Sequence, residues 1–419
     1  MDQEKSVDNF MNLKNIEGDS NATVIFGESV PSKRGKKFNG FVRKYFLEGQ
    51  KLEQTHLHVS LLSTTSNSAA ANSFYERYRK YIGFLIPFLF MHLCWWTLAI
   101  RYNIFRLYPS RYELPITMIL GATVAGMTSE GGGAIAFPVM TLLLHIDSTV
   151  ARDFSLMIQS CGMTSAAFTI IWMRIQLEWN SIVFCTIGST SGIVFGFHFV
   201  DNLLTNSEKK MLFVSIWFAF GLSLWILNLQ KHRSTHEKIQ DVKAWKIAVL
   251  LFTGFVGGLC SAFAGSGVDI CSFSILTLLF RVSEKTATPT SVILMASNTC
   301  VGFFWRHLIM CEISDLAWEY FSVSVPVVVI CAPLGSLLAS HFHRLVLATF
   351  VYVLEICALL GFLATQPSIE LIFVGCIIIG CSFVFFLAIS RIGKFVDDRL
   401  PRITSPSYIN AESMSTPLM

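Results

Sequence analysis

The sequence predicts an all-α polytopic membrane protein, with about eight full spans plus two broken helical hairpins in two inverted repeats. Three observations carry this. Charged residues make up 14% of the 419 and hydrophobic residues 53%, whereas soluble domains hold about 25% charged residues. The charges are also unevenly placed: residues 1–80 hold 12 Lys/Arg and 9 Asp/Glu, and residues 81–390 hold only 16 of each. Apolar runs of about 20 residues, the length a helix needs to cross hydrocarbon, then recur in series, and two longer runs are broken by glycines.

The same numbers exclude other classes. Collagen, coiled coil, disordered chain and disulfide scaffold do not have this composition. A net charge of +4 is too small to imply nucleic acid. The 11 cysteines are odd in number, include no CxxC pair and fall almost entirely in apolar stretches, which reads as buried free thiols rather than a disulfide framework or metal site. No cofactor and no metal are expected.

Residues 1–80 read as a disordered cytoplasmic arm. No apolar segment of signal-peptide type follows the start, and the basic run Lys33-Arg34-Gly35-Lys36-Lys37 and a Ser/Thr/Asn stretch at 63–68 are polar. On that reading the Asn21-Ala22-Thr23 sequon is unused. Arg77, Arg79 and Lys80 then flank an extra span and loop (81–115) on its cytoplasmic side. Transmembrane repeat 1 with its basic linker follows (116–246), then repeat 2 (247–389) and a cytoplasmic tail (390–419). The eight spans are expected near 81–100, 158–173, 181–200, 211–229, 291–310, 319–341, 345–364 and 370–389.

The apolar runs 116–146 and 247–280 exceed 30 residues and carry mid-run glycines, which are costly in a straight helix. They are copies of each other. An offset of 136 places Gly131 on Gly267, Thr141-Leu142-Leu143 on Thr277-Leu278-Leu279, Ala151 on Ala287, Ser155 on Ser291 and Phe168 on Phe304. If each run were one span, the Lys/Arg after residue 100, leaving aside Arg306 at a helix end, would split 10 inside to 9 outside. If each is a hairpin that enters and leaves on one side, the split becomes 13 to 6, with the linker and the tail both cytoplasmic. The positive-inside rule favours hairpins. A hairpin plus three spans makes the copies inverted, a recurrent carrier plan with its site at the midplane where discontinuous helices meet.

The first break reads Gly126-Met-Thr128-Ser129-Glu130-Gly131-Gly132-Gly133 and runs on to Pro138; the second reads Gly258-Leu-Cys-Ser-Ala-Phe-Ala-Gly265-Ser266-Gly267-Val-Asp269. Irregular backbone at membrane depth persists only where protein buries it or a watery cavity meets it. A half-helix beginning at Gly132-Gly133 or Val268 offers free N–H groups and a positive dipole end, an anion site without a fixed cation. Thr128, Ser129 and Ser266 add hydroxyl donors. The competing reading is that the glycines only permit close helix crossing.

This pattern resembles the sulfite exporter TauE/SafE family of membrane permeases. The first copy carries the resemblance through Glu130-Gly131-Gly132-Gly133, Pro138 and Ala151…Ser155. The second carries it through Gly265-Ser266-Gly267, Ala287…Ser291, Asn298 and Gly302. The resemblance spans about 116–389 and implies export or exchange of sulfur-containing or organic anions such as sulfite and sulfonates. The sequence departs from the pattern where Gly265-Ser-Gly267 replaces a glycine run and Ser274 replaces the Pro138 of the first copy.

Ionisable residues in apolar runs are functional candidates by default. Glu130 and Asp269 fall in the two breaks, either to carry a coupling proton or cation or to cap the half-helices. Arg306 reaches an anion or snorkels to the interface. His307 is a candidate titrating group. Glu355 faces another helix, and His198 reads as a hydrogen-bonder inside the bundle. Gln159-Ser160, Thr290-Ser291 and Asn298-Thr299 either line a pathway or knit helices together. The function expected is a carrier of small anions in the lipid bilayer, by default the plasma membrane. A channel and a receptor or scaffold are the rivals. No HExxH or GxSxG arrangement supports an enzyme.

Overall fold

The computed structural model describes residues 69–128, 133–229, 236–339 and 344–398. Most of the arm, the first break at 129–132 and the end of the tail lie outside the described residues. Helices and their turns make up the rest: α1 (Ala69–Tyr102), α2 (Glu113–Met127), α3 (Gly133–Pro138), α4 (Ser148–Trp172), α5 (Trp179–Phe195), α6 (Asn206–Leu229), α7 (Ala244–Ala264), α8 (Val268–Ser274), α9 (Glu284–Phe304), α10 (Asp315–Ala339), α11 (Arg344–Ala364) and α12 (Ile369–Asp398). Wider π-type turns prolong α3 (Val139–Leu143), α5 (Gly196–Val200), α8 (Ile275–Leu279) and α9 (Trp305–Ile309).

The 136-residue offset holds through the whole fold, pairing α2 with α7, α3 with α8, α4 with α9, α5 with α10 and α6 with α11. It extends to backbone detail. The π turns after α3 and α8 both close at φ −90°, ψ −3°, on Leu144 and Phe280. Left-handed His145 and Arg281 follow at φ 52° and 53°. The N–H of Ile146 donates to the Met140 carbonyl and that of Val282 to the Leu276 carbonyl, both at 2.8 Å. Even the caps repeat: Glu178 accepts from the Asn180 N–H at the start of α5, and its mate Ser314 accepts from the Ala317 N–H at the start of α10.

Both breaks are hairpins. A Cβ on Gly257 of α7 would lie 2.6 Å from Val268 Cα, and one on Gly121 of α2 would lie 3.4 Å from Ile135 of α3, so each half-helix folds back on its predecessor. The mates α4 and α9 run antiparallel. Arg306, at the end of α9, bonds Asp153 near the start of α4, and Thr290, near the start of α9, accepts from Glu178 just past the end of α4. The two repeats are therefore inverted relative to each other.

Helix contacts are exchanged between repeats: α2 packs on α10, and α7 packs on α5. Both crossings are backbone-close. A Cβ on Gly126 would lie 2.0 Å from the Ala332 carbonyl oxygen, and one on Gly258 would lie 2.2 Å from that of Ser189. Close helix packing thus accounts for these two glycines.

Among the described residues eight helices are long and apolar enough to cross a membrane: those at 81–102, 148–172, 179–200, 206–226, 244–264, 284–309, 315–339 and 369–396. Their identity differs in part from the expectation. The first arm of the second hairpin, α7, reaches spanning length by itself, while the described apolar part of α11 starts only at Thr349. Helix α1 begins at Ala69, inside the segment read as an arm. Helix α4 begins at Ser148 rather than 158, because charged Arg152 and Asp153 lie inside its first turns, buried. The span of α4 is 78% buried, against 22% for α1 and 17% for α12, so the first and last spanning helices are peripheral.

Candidate functional site

The second break is fully described. Helix α7 ends because Gly265 turns left-handed (φ 76°), its N–H still bonding the Ser261 carbonyl at 2.8 Å. Gly267 is extended, and a Cβ there would sit 2.5 Å from Cys260 Cβ, so the turn is held tightly against α7. Helix α8 then starts at Val268, and Val268, Asp269 and Ile270 are all buried. The first N–H groups of a helix have no intrahelical acceptor. Ser266 Oγ donates to Asp269 Oδ2 at 2.8 Å, fastening the carboxylate across the first turn of α8.

The other repeat covers this turn. Gln159 of α4 donates from Nε2 to the Gly265 carbonyl at 3.1 Å. Ser155 lies against Gly265, where a Cβ would come within 2.7 Å of Ser155 Cβ. Ser155 Oγ and Gln159 Oε1 are buried and have no hydrogen-bond partner among the described residues. Buried polar groups are normally bonded, so a surplus of hydrogen-bonding capacity faces the break. Asn298 of α9 is likewise buried, with neither its amide nitrogen nor its oxygen bonded among the described residues.

Other predicted site residues separate into groups. Thr128 is buried at the end of α2, and its N–H and its hydroxyl both donate to the Val124 carbonyl at 2.9 Å. Gly133 opens α3. Ser129, Glu130, Gly131 and Gly132 lie outside the described residues. Ser291, the mate of Ser155, is buried and donates to the Thr288 carbonyl at 2.8 Å; Thr299 donates to the Met295 carbonyl at 2.8 Å. Arg306 is 2% exposed and ion-paired rather than snorkelling. His307 is exposed, its ring 5.1 Å from that of Trp318, away from the break. Glu355 is buried beside Gly221 of α6. His198 is not interior. It is exposed, bonds its own helix at the Val194 carbonyl and lines an open surface recess of about 540 Å³ with Ile187, Thr190, Val194 and Trp305. An apolar run has this character whether it faces protein or lipid.

Sequence reasoning missed two features. One is the buried ion network around Arg306, described below. The other is Glu178, 1% exposed, whose Oε2 accepts from the Ile239 N–H at 2.9 Å and whose own N–H donates to Thr290 Oγ1 at 3.0 Å. It pins the basic linker to one end of the bundle. Apart from Arg306, these acids and bases fall outside the apolar runs, where hydropathy reads them as loop.

Two inverted copies of a hairpin-plus-three-helix unit, meeting over a broken helix in an apolar bundle, define an integral multi-pass membrane protein built from inverted repeats. The chain belongs to the sulfite exporter TauE/SafE family, which matches residues 114–362, from the first turn of α2 into α11 and so across both repeats. No curated protein and no solved structure matches it. The family is one of membrane transporters, not enzymes.

Proposed function

We propose that the protein carries small anions, sulfur-containing (sulfite or sulfonate) or organic, across the bilayer by alternating access at the paired helix breaks, with both termini cytoplasmic and the plasma membrane as its default location. The observation that carries this reading is the second break. The buried start of α8 presents N–H groups that have no intrahelical acceptor, and the other repeat brings the Ser155 hydroxyl, unbonded among the described residues, against the same turn. Donors fixed in a dry site replace the hydration shell of an anion without reorganising.

Asp269 gives this site a coupling device. Its carboxylate already occupies the first turn of α8. An arriving anion meets a like charge there, and two such charges in contact are tolerated when one carries a proton. Anion and proton then move together. Rocking of one repeat against the other about the α4–α9 contact exposes the break to each side in turn.

The test is uptake into vesicles reconstituted with the full-length chain, using sulfite, thiosulfate, taurine, sulfoacetate and monocarboxylates, each with and without a pH gradient. Saturable uptake of at least one anion, driven by the gradient and uncoupled from it in Asp269→Asn, supports the reading. Non-saturating flux with large unitary currents makes the protein a channel.

A further inference from the structure

Six charged side chains meet at one end of the bundle, where α4, α5, α6 and α9 converge. Arg306 grips Asp153 with both edges of its fork, Nη2 to Oδ2 at 3.0 Å and Nε to Oδ1 at 3.1 Å. It also pairs with Glu312 in the next turn. Arg152 donates to Asp153 Oδ1 from Nε and Nη2 at 2.9 and 2.8 Å and pairs with Asp201, which pairs in turn with Lys209 at 2.6 Å. Arg152, Asp153 and Arg306 are at most 2% exposed.

Three features set this cluster apart from a static staple. It is single-ended: the positions 136 residues from Arg152, Asp153, Asp201, Arg306 and Glu312 are Thr288, Pro289, Leu337, Ile170 and Gln176, none of them ionisable. It straddles the repeats, with Arg306 and Glu312 in the second and the other four in the first. Cut between Asp153 and Arg306, each part stays neutral. Arg152 and Lys209 balance Asp153 and Asp201 in the first repeat, and Arg306 balances Glu312 in the second. Separation therefore strands no uncompensated charge, the event that makes breaking a buried pair so costly.

The cluster also lies over the site. Phe197 sits beneath Arg152 and Arg306, with its ring centre 5.4 and 5.8 Å from the two guanidinium carbons. It packs with Leu156, Ile193 and Ala262, and Ser155, the residue beside Leu156, faces Gly265 of the second break.

We propose that Asp153 and Arg306 form a latch between the two repeats, which closes the route from this end of the protein to the second break and parts when the repeats exchange. The proposal rests on the alternating-access reading. Its test is thiol accessibility in the purified full-length protein in detergent, with two buried reporters, Leu156→Cys under the latch and Ala287→Cys near the opposite end of α9. Modification by a charged, water-soluble thiol reagent is read at each position by peptide mass spectrometry. Asp153→Asn or Arg306→Gln should speed modification at 156 by about tenfold, a typical coupling between two states, and leave 287 unchanged. The double variant should add nothing to either single one. Arg306→Lys, which keeps the charge but loses the fork, should fall between wild type and Arg306→Gln, and it keeps the test open if Arg306→Gln does not fold. An unchanged rate at 156 in the folded variants overturns the latch. So does a rise at both positions, which reports general loosening. Because no substrate enters this measurement, absence of anion flux counts against the carrier reading alone, and protection at 156 counts against the latch alone.

Discussion

Thr164 and Cys300 are 136 positions apart and in contact, with Oγ1 and Sγ 3.5 Å from one another. A residue that touches its own mate in the other repeat marks the pseudo-two-fold axis, so the axis passes between α4 and α9 at this level. Cys300 also donates to the Ser160 carbonyl at 3.8 Å, close to the same crossing. Thr164→Cys would set two thiols against each other at the axis. A disulfide needs Cβ atoms about 3.5–4.5 Å apart, and mild oxidation should form one here, read by mass spectrometry as a single cross-linked peptide pair from the two repeats. If none forms under conditions that oxidise a control pair, α4 and α9 do not cross as described.

The glycines divide into two kinds with different expected costs. At Gly265 a side chain meets both a left-handed backbone and Ser155, and Gly265→Ala should lower stability by about 1–3 kcal/mol, the usual range for stored backbone strain. At Gly258 and Gly126 the backbone is ordinary helix, but a methyl group would enter a carbonyl oxygen of the facing helix. Relief there requires moving a whole helix, so Gly258→Ala and Gly126→Ala should cost more than Gly265→Ala. Thermal unfolding in detergent, with the three variants side by side, checks the order.

The repeats and their hairpins were legible in the sequence because 136-residue spacing and charge asymmetry are properties of the chain itself. The second break could be read from Gly265, Ser266 and Asp269 for the same reason: the turn and its Ser266–Asp269 bond are local. What could not be read was pairing at long range. Arg306 finds Asp153 across 153 positions, and nothing in the local sequence of either points to the other. Asp153 and its neighbour Arg152 hid the true start of α4, since hydropathy ends a span at a charge and cannot know that the charge is paired. His198 failed differently. Apolar neighbours make a residue greasy, and a membrane protein is as greasy on its lipid face as in its core.

Asn298 separates a site role from a structural one. Its amide is buried with neither atom bonded among the described residues. Leaving a polar group unbonded costs about 1–3 kcal/mol, whereas an apolar group of the same shape avoids that cost. Asn298→Leu should therefore leave the unfolding temperature unchanged or raise it, and should reduce anion flux in vesicles. A large loss of stability would mean that the amide has a structural partner and no part in the site.

Glu178 tests the anchoring of the linker and the topology together. It holds the linker through the Ile239 N–H, and its own N–H reaches Thr290 in the other repeat. Glu178→Ala removes the acceptor of Ile239 and leaves that N–H without a protein partner, a loss of about 1–3 kcal/mol for a buried group. Local opening of the linker becomes easier by the same amount, about fivefold or more in population. Lys238 and Lys243 lie on either side of the released segment, so trypsin should cut there faster in Glu178→Ala than in wild type, with the bundle intact by unfolding temperature. In sealed cells trypsin added outside should cut neither protein in the linker, and inverted membrane vesicles should restore the difference. Cleavage from outside would place the linker on the opposite face and reverse the orientation proposed for both termini.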